Sequence, residues 1–207
     1  MTTRTKPSVH WTRFSALAFP HVDWSNHDDS HRAVMSIFAS ELPGERDERR
    51  SASAILFRVD AVENMPVITV QSEVAPVFLP QDAKTMLVPE HAWYLQDNDQ
   101  VRFRLAINPI RRNRRAKSTI VVPTEEVPEW LTPRFAGCLT NIEIFNHARD
   151  TFSSKATKTG ARRLLVIDTI DGTATVSDSS TFDEIRRNGV GRSKSFGCGL
   201  ITAQKIS

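Results

Sequence analysis

Apolar residues fall in short clusters separated by polar, proline- or glycine-bearing breaks, and the spacing within each cluster predicts an element. Residues 1–12 are polar and read as a frayed end. Arg13 to Phe19 is compact, rich in apolar residues and stopped by Pro20, which reads as a strand. His21 to His27 follows as loop. Asp28, Asp29 and Ser30 are all residue types that cap helices, and Val34, Ile37, Phe38 and Leu42 recur on one face. A helix is therefore predicted over Asp29–Ser40. Pro43-Gly44 ends it, and the charged run Glu45–Arg50 reads as solvated loop. Ala54–Asp60 and Pro66–Ser72 read as two strands joined by a short turn. Three prolines and weak periodicity leave 73–98 with one predicted feature, a short strand near Trp93–Leu95.

A second set begins at Val101. Val101–Ile107 alternates as a strand and breaks at Asn108-Pro109. Thr124, Glu125 and Glu126 start a helix predicted to reach Ala136, with Pro128 in its first turns and Gly137 as C-cap. Leu139–Phe145 alternates again. The polar, basic stretch 147–161 then leads to Arg163–Ile170, and Asp171-Gly172 marks a tight turn or a bulge in a strand continuing to Val176. Thr181-x-x-Glu184 forms a capping box for a short helix ending at Asn188-Gly189, and Leu200–Ile206 is the last strand. This half reads βαββαβ, a ferredoxin-like order. The first half reads βαββ plus a less defined remainder, a degenerate copy by element order. The expected fold class is α+β, two tandem ferredoxin-like domains over 1–98 and 99–207.

Composition supports folded domains: 40% of the 207 residues are apolar. The net charge is only +3, but the cations cluster. Arg111, Arg112, Arg114, Arg115 and Lys117 form one run; Lys155, Lys158, Arg162 and Arg163 flank the connection between two predicted antiparallel strands. Such clusters point to a polyanion, and a basic hairpin suits the phosphates of an RNA stem. With a single tyrosine and no aromatic-rich strand, the chain offers little for stacking single-stranded bases. No helix-turn-helix or zinc-finger spacing supports a DNA-binding regulator. Cys138 and Cys198 form no CxxC, so a reduced, cytoplasmic protein is expected, and no apolar run suits a signal peptide or a bilayer span.

Two places carry candidate chemistry. His27-Asp28-Asp29-Ser30-His31 lies at the start of the first predicted helix, where free N–H groups attract phosphate and the dipole favours neutral imidazole. His31 there suits proton transfer in metal-free RNA cleavage; the bland alternative is a histidine packed on the stripe of Val34, Met35 and Phe38. His27 and His31 lack a third ligand for zinc, and neither metal nor cofactor is expected. His10, His21, His91 and His147 read as surface or loop residues, and both cysteines as core or loop thiols. The other place is Gly189 to Leu200, which holds four of the eight glycines, Gly189, Gly191, Gly197 and Gly199, with Arg192 and Lys194 between them. It reads either as a phosphate-binding loop or as a helix C-cap and bent edge strand.

The string Gly189-Val190-Gly191-Arg192-Ser193-Lys194-Ser195-Phe196-Gly197-Cys198-Gly199-Leu200 resembles the C-terminal signature G-[IV]-G-x-[AS]-K-[AS]-x-G-C-G-L of the CRISPR-associated CasE family, the endoribonuclease subunit of the type I-E Cascade complex. Phe103-Arg104-Leu105-Ala106-Ile107-Asn108-Pro109 resembles its F-R-L-x-x-N-P, and weaker matches extend the resemblance over nearly the whole chain. The resemblance implies two tandem ferredoxin-like (RRM-like) domains. It further implies cleavage of precursor CRISPR RNA at the 3′ base of the repeat stem-loop, leaving a 5′-hydroxyl and a 2′,3′-cyclic phosphate. The expected partners are the repeat RNA, its mature crRNA product and other Cascade subunits. His31, three and seven residues before Val34 and Phe38, matches the family's catalytic histidine. Many members have a tyrosine three residues earlier, where this chain has Asp28; Asp28 then caps the helix, orients His31, or leaves the role to His27, and the cap is favoured because a carboxylate repels phosphate.

Overall fold

The computed structural model describes residues 9–45, 49–62, 65–88, 95–113, 118–155 and 162–206. The chain forms two compact units, Met1–Tyr94 and Leu95–Ser207.

In the first unit, β1 (Val9–Ser15) runs into a 3-10 turn at Ala16–Ala18, followed by α1 (His27–Ser36), the single-turn α2 (Arg49–Ala52), β2 (Leu56–Val62), β3 (Met65–Ser72) and β4 (Lys84–Val88). The strands form one sheet in the order β2-β3-β1-β4, all neighbours antiparallel. Taking β1 as first, this is the 4-1-3-2 ferredoxin-like arrangement. Val34 of α1, with Ile37 and Phe38 just beyond its end, packs against Phe14, Phe57, Ile68 and Val70 from the sheet, forming the apolar core. The stretch expected to be a frayed end thus contains most of β1. Its polar residues conceal it, but β1 is hydrogen-bonded on both edges, to β3 and β4, which satisfies its backbone whatever the side chains. α1 stops short of Ser40 because the backbone N–H groups of Val77 and Phe78 both donate to Ile37 O, at 2.8 and 2.9 Å. The fourth strand lies at Lys84–Val88 instead of near Leu95, which is loop; Trp93 falls outside the described residues.

The second unit contains β5 (Gln100–Ile107), a hairpin of β6 (Ile110–Asn113) and β7 (Ser118–Val121), α3 (Val127–Leu131), β8 (Leu139–Lys155), β9 (Arg162–Val176), α4 (Ser179–Asn188) and β10 (Ile201–Lys205). Its sheet order is β10-β5-β9-β8, again 4-1-3-2 and antiparallel, with β6-β7 as a separate two-stranded sheet. Both units bear out the α+β, doubly ferredoxin-like reading. Val101, Phe103, Leu105 and Ile107 alternate inward from β5 onto Leu131, Phe135 and Phe182. Leu95 belongs to the same core.

Three elements differ from expectation. The helix predicted over 124–136 is one α-helical turn between 3-10 turns at Thr124–Glu126 and Thr132–Arg134, because Pro133 has no N–H to continue the ladder. β8 does not end at Phe145 but runs to Lys155. Two register shifts, at Thr140/Glu143 and Ile144/Asn146, absorb extra residues, so Asp171-Gly172 continues β9 opposite a bulge. A Cβ on Gly172 would lie 2.6 Å from Phe103 Cζ and 2.7 Å from the Glu143 carbonyl oxygen, so glycine is needed there. α4 is capped by Asp178, ahead of the expected Thr181-x-x-Glu184 box: Asp178 accepts from the backbone N–H and the hydroxyl of Thr181, both at 2.9 Å.

Candidate functional site: a helix entrance and a cationic cleft

The first candidate site begins with a cap. Asn26 sits in extended backbone, and its side-chain oxygen accepts from the N–H groups of Asp28 (3.1 Å) and Asp29 (3.4 Å). It, and not Asp28, is the N-cap, since a cap residue must lie outside the helix with its side chain aimed back at the first free donors. The loop leading in is held by Phe14, Phe19 and Trp24, whose ring centroids lie 5.6–6.2 Å apart. Trp24 also donates to Ala16 O at 3.3 Å. Ser30 fastens the first turn by donating to Asn26 O (3.0 Å) and Trp24 O (3.2 Å).

These contacts make His27 the first residue of α1 and bury it, correcting its expected place in the preceding loop. His31, one turn further, is half-buried, and its Nδ1 is enclosed without a hydrogen-bond partner. Burial pushes its imidazole below the ordinary pKa, and the positive charge of Arg50 pushes it further down; Asp28 opposes both. These surroundings favour the neutral ring over the charged one. Arg50 itself is half-buried in α2 and donates to Ile55 O at 2.9 Å. By sequence pattern Arg50 belongs to a solvated loop. A charged run does not reveal which member turns inward; only the packing of α2 does.

The second candidate site lies wholly within the second unit. The β6–β7 hairpin, α3 and the loop after α4 enclose a cleft of about 460 Å3, lined among others by Arg111, Arg112, Trp130, Arg134 and Arg192. Arg111 pairs with Glu126 at 2.6 Å. The Arg134 guanidinium lies over the Trp130 ring, 3.2 Å from its centroid, and donates to the Trp130 carbonyl; Trp130 Nε1 donates to Ile110 O at 3.2 Å. Of the expected cations, Arg111, Arg112 and Arg192 meet here, joined by Arg134 and Trp130, which no motif singles out. Arg114, Arg115, Lys117 and Lys158 lie outside the described residues. Lys155 pairs in register with Arg162, and Arg163 with Ser154, at the far end of the β8–β9 hairpin.

The glycine-rich loop is chiefly a backbone device. Gly189, Gly191, Gly197 and Gly199 all take positive φ, between 74 and 93°. At Gly199 (φ 93°) a Cβ would also crowd the Val190 carbonyl oxygen at 3.0 Å. Its N–H donates to Ala106 O at 2.7 Å and its carbonyl accepts from Val190 N at 2.9 Å, stitching the loop to β5. Lys194 donates to Asn188 O at 2.5 Å, at the C-terminal end of α4 where cations are favoured. Turned inward from the loop, Cys198 packs with Ala106, Leu165 and Ile167, and burial pushes its thiol up to about 12; Cys138 is pushed up to about 11 for the same reason.

His147, expected at the surface or in a loop, sits in β8 with Nε2 2.8 Å from Asp168 Oδ2. The fully buried Asp168 also accepts two hydrogen bonds from Arg149, each at 2.7 Å. These pairs let a polar stretch continue as strand. Among the described residues no three His, Cys, Asp or Glu side chains gather as metal ligands, and no helix is long and apolar enough to cross a membrane.

Similarity to known proteins follows the fold. No curated protein sequence matches the chain significantly. Among solved structures, Thermus thermophilus Cse3, bound to an RNA representing a pre-cleavage complex, superposes with a TM-score of 0.71 at 20% identity, covering 95% of this chain and 99% of that one. Cas6e from Escherichia coli K-12 gives 0.65 at 18% identity over 96% and 100%. A chain of a CRISPR RNA-guided surveillance complex gives 0.70 at 22% over 95% and 100%. The family model described as CRISPR associated protein matches residues 6–204, nearly the full length. The duplicated 4-1-3-2 sheets agree with the fold of these structures, and the match over residues 6–204 makes the chain a member of the CRISPR associated protein family.

Proposed function

We propose that the protein is a metal-independent endoribonuclease. It binds the stem-loop of CRISPR repeats, cuts precursor CRISPR RNA at the 3′ base of the stem, and remains bound to its product as a Cascade subunit. The observation that carries this reading is His31: a half-buried imidazole in the opening turns of α1, kept neutral by burial and by Arg50. A neutral imidazole accepts the proton of a 2′-hydroxyl; the 2′ oxygen attacks phosphorus, the P–O5′ bond breaks, and water reaching the half-open site protonates the departing oxygen. The products are a 2′,3′-cyclic phosphate and a 5′-hydroxyl. Arg50 adds a fixed positive charge for the phosphate. The arginines of the β6–β7 hairpin and the Lys155–Arg163 end of the β8–β9 hairpin grip the stem backbone, which proteins read largely by shape. Kinship in fold with Cse3 and Cas6e supports this assignment, as does the match of His31 to the family's histidine spacing.

One feature favours a second reading, a non-catalytic subunit that caps the guide RNA: Asp28, where many relatives carry tyrosine, sets a carboxylate near His31. Incubating the purified protein with repeat RNA in EDTA decides between them. Cleavage that His31→Ala abolishes, with affinity nearly intact, supports the nuclease. Binding by wild type without any cleavage hands the role to the capping subunit.

A further inference from the structure

The cleft beside Trp130 holds more positive charge than its neighbours neutralise. Arg111, Arg112, Arg134 and Arg192 share it, and among the described residues only Arg111 is paired with a carboxylate, Glu126. Guanidinium groups gathered this way repel one another unless an anion enters. The site also has a flat face. Arg134 is laid on the indole of Trp130 and locked there by donating to the Trp130 carbonyl; the indole is locked in turn by its bond to Ile110 O. Gly191 leaves room beside the ring: even a Cβ there would stand 3.7 Å from Trp130 Cη2. A guanidinium held flat on an indole presents its outer face as a platform on which a nucleobase stacks.

A paired stem would use only half of this. Its bases are turned inward, so it offers phosphates to the arginines and leaves the Arg134–Trp130 platform uncovered. An unpaired nucleotide offers both a phosphate and a base face, and a cleft of about 460 Å3 is of the size that encloses small ligands. We propose that this cleft seats one unpaired RNA nucleotide flanking the stem, its base stacked on Arg134 over Trp130 and its phosphate held between Arg112 and Arg192. The proposal rests on the RNA-binding reading above and adds a stacking site that the shortage of aromatic motifs in the sequence argues against.

Binding to the full chain is measured by fluorescence anisotropy with a bare repeat stem-loop, the same stem with two unpaired nucleotides on its 5′ or its 3′ side, and flanked stems whose flank is abasic. One flank is expected to tighten binding by about 5- to 150-fold, the range for a stacked base, and the abasic version to lose most of that gain. Arg134→Ala and Arg134→Lys should both erase the gain, lowering affinity for the flanked stem well beyond any loss on the bare stem, since lysine keeps the charge but not the plane. Arg192→Ala, on an exposed loop, should reduce the gain partially, and it decides the matter if the Arg134 variants fail to melt as folded proteins. Flanks without effect, a gain that survives the folded variants, or an equal loss on bare and flanked stems would each overturn the proposal. A wild type that cuts repeat RNA with no flank preference sinks the cleft and spares the nuclease. A wild type that never cuts but shows the Arg134-dependent gain sinks the nuclease and spares the cleft.

Discussion

At the entrance of α1 one imidazole is drawn into the protein, set within reach of Arg50 and thereby kept uncharged. Beside the β6–β7 hairpin the protein does the reverse, bringing four guanidinium groups to one opening with a single described carboxylate among them. Accepting a proton needs a group that is uncharged beforehand, and burial with the nearby Arg50 favours that form of the imidazole. Holding a polyanion needs charge that never titrates and stays in contact with water, which arginine supplies. If the proposed function holds, chemistry and grip fall in different units, and the two treat charge in opposite ways.

That contrast breaks most easily at His31. His31→Ala is expected to slow repeat cleavage by about 10²- to 10⁴-fold, the usual worth of a proton-transfer group, while changing RNA affinity less than about threefold. Rate and affinity falling together would mean that the helix entrance is also part of the grip. The converse substitution, Arg112→Ala together with Arg192→Ala, should weaken binding and lower the slope of log K against log salt by about one for each phosphate left without its cation. An unchanged slope would remove the cleft from the RNA surface.

A third change tests the scaffold of the second unit alone. Gly199→Ala forces a side chain into a backbone of φ 93° and should destabilise by about 1–3 kcal/mol, read as a lower midpoint in thermal or denaturant unfolding. An unshifted midpoint would mean that the loop yields freely. The smallest expected effect sharpens the first unit. A base held neutral below its ordinary 6.5 keeps cleavage active as pH falls past that value, and the same lowered pKa means that folded-state stability is present above 6.5 and declines as pH drops through the folded pKa. Arg50→Ala removes one of the two downward influences, so the acidic limb of the rate profile should move to higher pH. A limb that stays in place would make burial the sole cause.

Local pattern reveals most of the strands and the glycine-rich loop, because alternation and positive-φ demand are written in neighbouring residues. It misses whatever depends on a partner far along the chain. β8 looks finished at Phe145 because His147 and Arg149 are polar, yet they pair with Asp168 of β9, 21 and 19 positions on. Asn26 and Asp28 are equally good caps by residue type; backbone angles set by the aromatic trio choose between them. Arg50 and Arg134 look like ordinary surface cations until packing against Ile55 and Trp130 gives them places. The resemblance supplies His31, and the structure supplies its electrostatic surroundings.

Cys198, a member of the glycine-rich loop, turns its side chain inward onto Ala106, Leu165 and Ile167, while Cys138 lies in the main core of the same unit, and both thiols are fully shielded and reluctant to ionise. An alkylating reagent can reach the first when the loop lifts, but the second only when the unit comes apart. Timing the two modifications against each other, with and without RNA, makes the pair an internal clock for how often this cover opens and whether a bound strand holds it shut.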